Sequence, residues 1–155
     1  HICSTNFMKQ LTKYFVFLGL FLSFQSCKKE EPSPFPEIEF ISISATEVVE
    51  FENQLEVIIS YSDVNGDLGT IDADDLTIKV KDSRLDDFDW YHVPPLAPNS
   101  EELEIEGTFS IHLNPLFLLG NGYEENTHFS IQLKDRAQNW SNQITTPTVS
   151  IRDSL

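Results

Sequence analysis

The chain has 155 residues and a mass of 17.7 kDa, which is enough for one domain with a hydrophobic core. Acidic residues outnumber basic ones by 25 to 10, so the formal net charge is −15. This charge argues against nucleic acid and against an anionic membrane surface as partners, because both would be repelled. The two cysteines are too few for a disulfide scaffold.

The N-terminal part of the chain has the organisation of a targeting sequence. Residues 1–7 precede Met8 and are interpreted as read-through upstream of the true start. Residues 8–26 are predicted to be a signal peptide, since lysines are followed by the apolar run YFVFLGLFLSF, which is too short to span a bilayer. Cys27 comes directly after this segment. The alternative is an apolar core helix with a buried cysteine.

This arrangement resembles the signal of bacterial lipoproteins, in which a peptidase cuts before the cysteine and the thiol carries diacylglycerol. The resemblance implies that Cys27 is lipidated and anchors the chain to a membrane. Residues 27–36 then form a tether with the charged run KKEE and the proline-rich PSPFP, which favours an extended spacer. The KKEE run resembles the surface-export signal of Bacteroidota lipoproteins. We therefore expect an outer-membrane lipoprotein exposed on the cell surface, with the periplasmic face as the alternative.

Over residues 37–155 the dominant period of apolar residues is two, which is typical of half-buried strands. Ile38 and Phe40 alternate with glutamates, and the apolar parity then shifts to Ile41, which predicts a bulge after Phe40. Further strands are predicted over 48–51, 55–61, 76–80, 103–113, 129–133 and 144–151. Short strands at this spacing predict an all-β fold, an antiparallel two-sheet β-sandwich.

Residues 129–151 resemble the final hairpin of bacterial Ig-like domains, in which an apolar strand ends in D-x-A-G-N-x-S. The matching positions are Asp135, Ala137, Asn139 and Ser141. Gln138 stands where glycine is usual. Asp135 and Asn139 are expected to cap the turn, with a role as additional metal ligands as the alternative. With the segment ISYSDVNGDLG, the chain resembles small Ig-like surface lipoproteins of the Bacteroidota type. The resemblance implies an Ig-like β-sandwich behind a signal peptide, and it assigns no activity.

The segment 63–75, called the 63–75 loop below, is rich in aspartate. Ca²⁺ prefers several oxygen ligands, which alternating Asp and Asn side chains on a tight loop provide. The predicted ligands are Asp63, Asn65, Asp67, Asp72 and Asp74. The EF-hand pattern is incomplete, because Leu68 stands at the glycine position and an aspartate replaces the final glutamate. The alternative is an Asx-rich turn in which Gly66 and Gly69 take positive φ.

A second candidate site is aromatic. Trp90, Tyr91 and His92 follow three aspartates, and Trp140 lies beside the last turn. Exposed aromatic side chains near carboxylates indicate a binding surface for carbohydrate or peptide. The alternative places Trp90 in the core on a middle strand, with Tyr91 facing outward.

The sequence as a whole predicts a non-catalytic, lipid-anchored Ig-like module that binds or supports a protein or glycan partner, with Ca²⁺ as its one candidate cofactor. Its acidic surface favours basic or cation-bridged partners, and not nucleic acid. An accessory subunit of an outer-membrane transport or assembly complex, docking through residues 90–95, is the alternative. A hydrolase with paired carboxylates is less supported, because the sequence has no G-x-S-x-G, S-x-x-K or phosphate-loop motif.

Overall fold

The computed structural model describes residues 33–97 and 103–154, and in these two ranges the chain is all-β without a helix. Ten strands are formed, namely β1 Glu37–Ile43, β2 Glu47–Val49, β3 Glu56–Asp63, β4 Ile78–Asp82, β5 Asp89–Tyr91, β6 Ile105–His112, β7 Glu124–Thr127, β8 Phe129–Leu133, β9 Ile144–Thr145 and β10 Val149–Arg152. The predicted read-through, signal peptide and Cys27 lie outside the described residues. No helix long and apolar enough to cross a membrane is present in the described ranges.

The strands pair into three sheets. Their orders are β1-β3-β6, β2-β10-β7 and β5-β4-β8-β9. Every pairing between named strands is antiparallel except that of β2 with β10, which is parallel. The all-β architecture is consistent with a β-sandwich, but the expectation of two purely antiparallel sheets is corrected to three sheets with one parallel pair.

The core is built from the inward-facing residues of alternating strands. Val57 and Ile59 on β3, with Ile131 and Leu133 on β8, have 0% exposed surface. Burial of such side chains is the main favourable contribution to folding, and their predicted alternation with outward polar residues is confirmed. The buried core residues of the described ranges lie between positions 38 and 151, and residues 32–155 form one compact unit. This unit therefore contains a complete core of its own.

The predicted bulge in β1 is confirmed. The register of β1 against β3 shifts between Phe40 and Ser42, so Phe40 and Ile43 both pack against the core, whereas Ile41 in the bulge is 49% exposed. Gly107 on β6 lies opposite Tyr61, and a Cβ at this glycine would lie 2.6 Å from the Tyr61 hydroxyl. The missing side chain therefore makes room for the tyrosine ring.

Two predicted strand ranges are corrected. The range 144–151 is not one strand, because β9 and β10 belong to different sheets and Pro147 between them has no backbone N–H to donate. The strand predicted over 48–51 ends at Val49, and Phe51 lies in the turn that follows, with a positive φ of 60°. The short strands β5 and β7 were not predicted from the pattern.

Candidate functional site

The 63–75 loop is folded around its own aspartates. Asp63 at the end of β3 is only 2% exposed, and its Oδ2 accepts a hydrogen bond from the backbone N–H of Asp67 at 2.8 Å. The Oδ1 of Asp72 accepts one from the backbone N–H of Asp74 at 3.0 Å. The Asp72 contact is that of an Asx turn, and both contacts tie the loop backbone to its own carboxylates, so these four predicted ligands also stabilise the loop itself.

Three further residues connect the 63–75 loop to its surroundings. The side-chain amide of Asn65 donates to the Pro34 carbonyl at 3.2 Å, close to where the tether meets the fold. Gly66 and Gly69 have φ values of 64° and 77°, which confirms the positive φ expected for a turn. A Cβ on Gly69 would lie 2.2 Å from the Pro94 carbonyl oxygen, so no other residue fits there.

Asp67 is electrostatically strained. Its Oδ2 accepts a hydrogen bond from the backbone N–H of Ala137 at 3.1 Å, but its buried Oδ1 has no partner among the described residues. Burial, followed by repulsion from Asp135 and Asp63, raises the pKa of Asp67 above its ordinary value. A proton or a cation would relieve this strain. Within the described ranges no group of three or more His, Cys, Asp or Glu side chains is arranged to hold a metal ion.

The turn over residues 135–139 packs against this loop. Asp135 is fully buried, and its two carboxylate oxygens accept hydrogen bonds from the backbone and side-chain N–H groups of Asn139 at 2.7 and 2.9 Å. Both residues therefore cap the turn as predicted. Gln138 adopts a φ of 71°, which is the conformation that glycine takes without strain. Arg136 donates to the carbonyl of Gly66 at 3.3 Å, which joins the turn to the loop.

Aromatic side chains gather on the outer face of the sheet β5-β4-β8-β9. Trp90 on the edge strand β5 is 43% exposed. Its ring centroid lies 6.0 Å from that of Trp140 and 6.3 Å from that of Phe88. The structure thus brings together two of the predicted aromatic residues that are fifty positions apart, and it adds Phe88, which the sequence reading missed.

Lysines lie over these rings. The Nζ of Lys79 is 4.0 Å from the ring centroid of Trp140, and that of Lys134 is 5.8 Å from the same ring. Lys79 and Lys81 each place Nζ 5.4 Å from the ring centroid of Phe88. Such distances are within the range of cation–π attraction. We call this surface the lysine–aromatic patch, and it consists of Lys79, Lys81, Phe88, Trp90, Lys134 and Trp140.

Tyr91 and His92 are not part of this patch. Tyr91 packs against the core, and burial, followed by the charge of Asp89, raises the pKa of its hydroxyl. The Nε2 of His92 lies 2.8 Å from the Thr70 carbonyl oxygen, to which it donates in the corresponding tautomer. The structure also corrects the alternative of a core tryptophan, since Trp90 is exposed and it is Tyr91 that faces inward.

A buried ion-pair network fixes the connection between β6 and β7. Asp82 is 6% exposed and lies 2.7 Å from the guanidinium of Arg84, which also contacts Glu125 at 2.8 Å and the Phe117 carbonyl at 2.9 Å. Burial alone would raise the pKa of Asp82, but hydrogen bonds from Arg84 and Thr127 bring it below its ordinary value. No spacing in the sequence indicated this network.

Carboxylates also border a recess of about 450 Å³ on the outer face of the sheet β1-β3-β6. Glu37 and Glu39 of β1 and Glu106 of β6 line it, together with strand residues that carry hydroxyl groups. These glutamates occupy the outward positions of their strands, opposite the core residues. Their outward position follows from the alternation of side chains along a strand.

Comparisons with protein families and with curated proteins assign the chain no relative. No protein-family model matches it, and no curated protein is similar to it at a significant level. The function is therefore inferred from the geometry of the two candidate sites.

Proposed function

We propose that the chain is a non-catalytic binding module, held on the outer membrane by a lipid on Cys27, and that the lysine–aromatic patch contacts its partner. The observation that carries this proposal is the exposure of the patch. Phe88 and Trp90 remain 42% and 43% exposed on a sheet face although both are large apolar side chains. An exposed apolar patch with polar neighbours marks an interaction or ligand-binding surface.

The Ig-like assignment belongs to the same proposal. The turn over residues 135–139 supports it, because Asp135 and Asn139 cap the turn as the Ig-like hairpin motif requires. Gln138 has a positive φ of 71°, which is a conformation that glycine adopts without strain. The departure from the motif at this position is therefore compatible with the turn geometry of the family.

Fatty-acid labelling of the full chain in a bacterial host tests the anchor. An alkyne-tagged fatty acid should label the wild-type chain and should not label Cys27→Ser, which should also move from the membrane to the soluble fraction. Cys3→Ser is the matched control, and it should keep the label because this cysteine precedes the predicted signal peptide. An unlabelled wild-type chain, or label retained in Cys27→Ser, would refute lipid anchoring.

Protease added to intact cells tests the side of the membrane. A surface-exposed module should be degraded before lysis, because nothing separates it from the added enzyme. Protection of the module until the cells are lysed would instead assign it to the periplasmic face. A periplasmic marker protein that stays intact before lysis is the control for leaky cells.

Calcium stabilisation of the 63–75 loop is the second part of the proposal. The buried Oδ1 of Asp67, which has no hydrogen-bond partner among residues 33–97 and 103–154, supports it, as does the charge of the neighbouring Asp63 and Asp135. A ligand that binds only the folded state at a hundred times its Kd adds about 2.7 kcal/mol to stability. We therefore expect the Tm of residues 32–155 to rise in Ca²⁺ relative to EDTA.

Two variants sharpen the calcium experiment. Asp67→Asn should lose the calcium-dependent rise in Tm, because it removes a charge and an oxygen ligand at the buried position. Asp86→Asn, which removes an exposed charge outside the loop, should keep it. Equal Tm values of the wild-type module in Ca²⁺ and in EDTA would show that the loop is an Asx-rich turn without a metal.

A further inference from the structure

The lysine–aromatic patch concentrates positive charge in a chain whose formal net charge is −15. Lys79, Lys81 and Lys134 are all the lysines in the described part of the sequence, and each lies in the patch. Arg84 and Arg152 form ion pairs with carboxylates, whereas no ion pair within the described ranges involves one of these lysines. The three ammonium groups therefore have no carboxylate within 4.0 Å in that part of the chain. This face therefore carries local positive charge although the net charge of the chain is negative.

Strand register keeps the nearby strand carboxylates off the patch. Asp89 precedes Trp90 on β5, so its side chain points to the opposite face, where its charge acts on Tyr91. Asp82 at the end of β4 is buried against Arg84. Asp86 and Asp87 lie in the connection before β5 and outside the strands. The outer face of β4 and β5 thus presents lysines and aromatic rings side by side.

This composition differs from that of a protein–protein interface. Such interfaces are enriched in aromatic residues and arginine but depleted in lysine, whereas the cations of the patch are all lysines. A polysaccharide with acidic groups fits both components. The C–H groups of a sugar face are attracted to the negative face of an aromatic ring, and carboxylate or sulfate groups pair with ammonium groups.

We infer that the lysine–aromatic patch binds an anionic polysaccharide, with sugar rings stacked on Trp90 and Phe88 and with acidic substituents paired to Lys79, Lys81 and Lys134. This inference rests on the proposed function, because it names the ligand of the same binding surface. Neighbouring ring centroids lie 6.0 and 6.3 Å apart and the ring planes are tilted by 56° and 53°, so each ring offers its own contact to a sugar unit.

Tryptophan fluorescence is a local probe of this binding. The chain contains only two tryptophans, and Trp90 and Trp140 both belong to the patch. Residues 32–155 are titrated with polygalacturonate, which is carboxylated, and with dextran sulfate. Uncharged dextran, poly-glutamate and a single-stranded oligonucleotide are the comparison polymers. We expect a saturable change with at least one anionic polysaccharide, weakening as salt rises, and no change with dextran.

The response to the two anionic polymers identifies the acidic group. Binding of polygalacturonate alone assigns a carboxylate ligand, binding of dextran sulfate alone assigns a sulfate ligand, and binding of both assigns charge without selectivity. Each of these three results supports the inference. They differ only in the substituent that the lysines recognise.

Variants separate the roles of the lysines and the rings. The triple change of Lys79, Lys81 and Lys134 to Gln should weaken binding at least tenfold, because it removes every ammonium group of the patch. Trp90→Ala should weaken it by a similar factor, with Trp140 remaining as the reporter. Arg152→Gln is the matched control, since it removes an exposed cation away from the patch, and its affinity should be unchanged. Thermal unfolding checks that each variant is folded.

Other outcomes overturn the inference. Binding of dextran as tight as that of the anionic polymers, with the triple variant unaffected, would show a neutral glycan and leave the proposed binding surface intact. Equal binding of poly-glutamate or of the oligonucleotide would show a general polyanion surface without sugar stacking. A fluorescence signal unchanged by every polymer would refute a polysaccharide ligand. The lipid anchor of the proposed function is decided independently by the labelling of Cys27.

Discussion

Replacing Arg84 with Met is the most informative test of the folded structure. The guanidinium donates hydrogen bonds to Asp82, to Glu125 and to the Phe117 carbonyl, and its side chain is only 12% exposed. Met fills a similar volume without charge, so Asp82 is left buried and without its cationic partner. Breaking a buried ion pair on one side costs about 3 kcal/mol or more. In a domain of this size we expect a fall in Tm of roughly 12 °C.

Arg152→Met is the matched control for this loss. Arg152 also forms an ion pair, with Glu47 at 3.3 Å, but the two side chains are 54% and 68% exposed. Exposed pairs of this kind contribute between about 0 and 1 kcal/mol, because water screens them and their side chains lose freedom. Circular dichroism of residues 32–155 during thermal and urea unfolding at pH 7 measures both variants under the same conditions.

The pH dependence of the two proteins provides a second readout. The pKa of Asp82 is lowered in the folded wild type, so its stabilising contribution is present above its ordinary value of 3.8 and is lost as pH falls below it. In Arg84→Met the cation is absent, so burial raises the pKa of Asp82. The free-energy cost of the buried charge therefore decreases as the pH falls and the carboxylate becomes protonated. The stability gap between the two proteins should therefore narrow in acid. A gap that stays constant with pH, or a loss no larger than that of Arg152→Met, would refute the reasoning.

Three further changes test the 63–75 loop and its contacts. Gly69→Ala should lower the free energy of unfolding in urea by about 2 kcal/mol or more, because Gly69 has a positive φ and an added Cβ would clash with the backbone. Gly122→Ala is the control, since an added Cβ there makes only an ordinary van der Waals contact, and it should change the free energy of unfolding by less than about 0.5 kcal/mol. In EDTA, the stability of the wild type should rise as the pH falls through the raised pKa of Asp67. Asp67→Asn should be more stable than the wild type at pH 7 and should lack this rise. An Asp67→Asn variant less stable than the wild type would contradict the proposed repulsion among the aspartates. Asp135→Ala should cost about 2 kcal/mol in thermal unfolding, since it leaves both N–H groups of Asn139 without their acceptor; a change below 0.5 kcal/mol would contradict its capping role.

The strands were predictable where one face of a strand is buried. The alternation around Val57 and Ile131 marks the core face directly, and the parity shift after Phe40 marks the bulge. The division between β9 and β10 was not predictable from alternation, because it depends on the two segments joining different sheets. The strand β7 was missed because Glu124–Thr127 has no apolar alternation, and its pairing with β10 holds it in place.

The aspartate loop and the aromatic patch differ in how far the sequence reveals them. The loop is local, so its turn residues and the positive φ of Gly66 and Gly69 followed from their spacing. The patch is formed by long-range pairing. Lys79 faces outward opposite Trp90 only because β4 and β5 pair in this register, and a single sequence does not specify that register.

The two candidate sites are connected through the turn over residues 135–139. Asp67 accepts hydrogen bonds from the backbone N–H groups of Arg136 and Ala137, and Trp140 follows directly after this turn and bridges to Lys134. A change in the charge of Asp67 therefore acts on the segment that places one ring of the lysine–aromatic patch. The 63–75 loop and the lysine–aromatic patch are thus joined through one hydrogen-bonded turn, which Asp67 holds on one side and which Trp140 follows on the other.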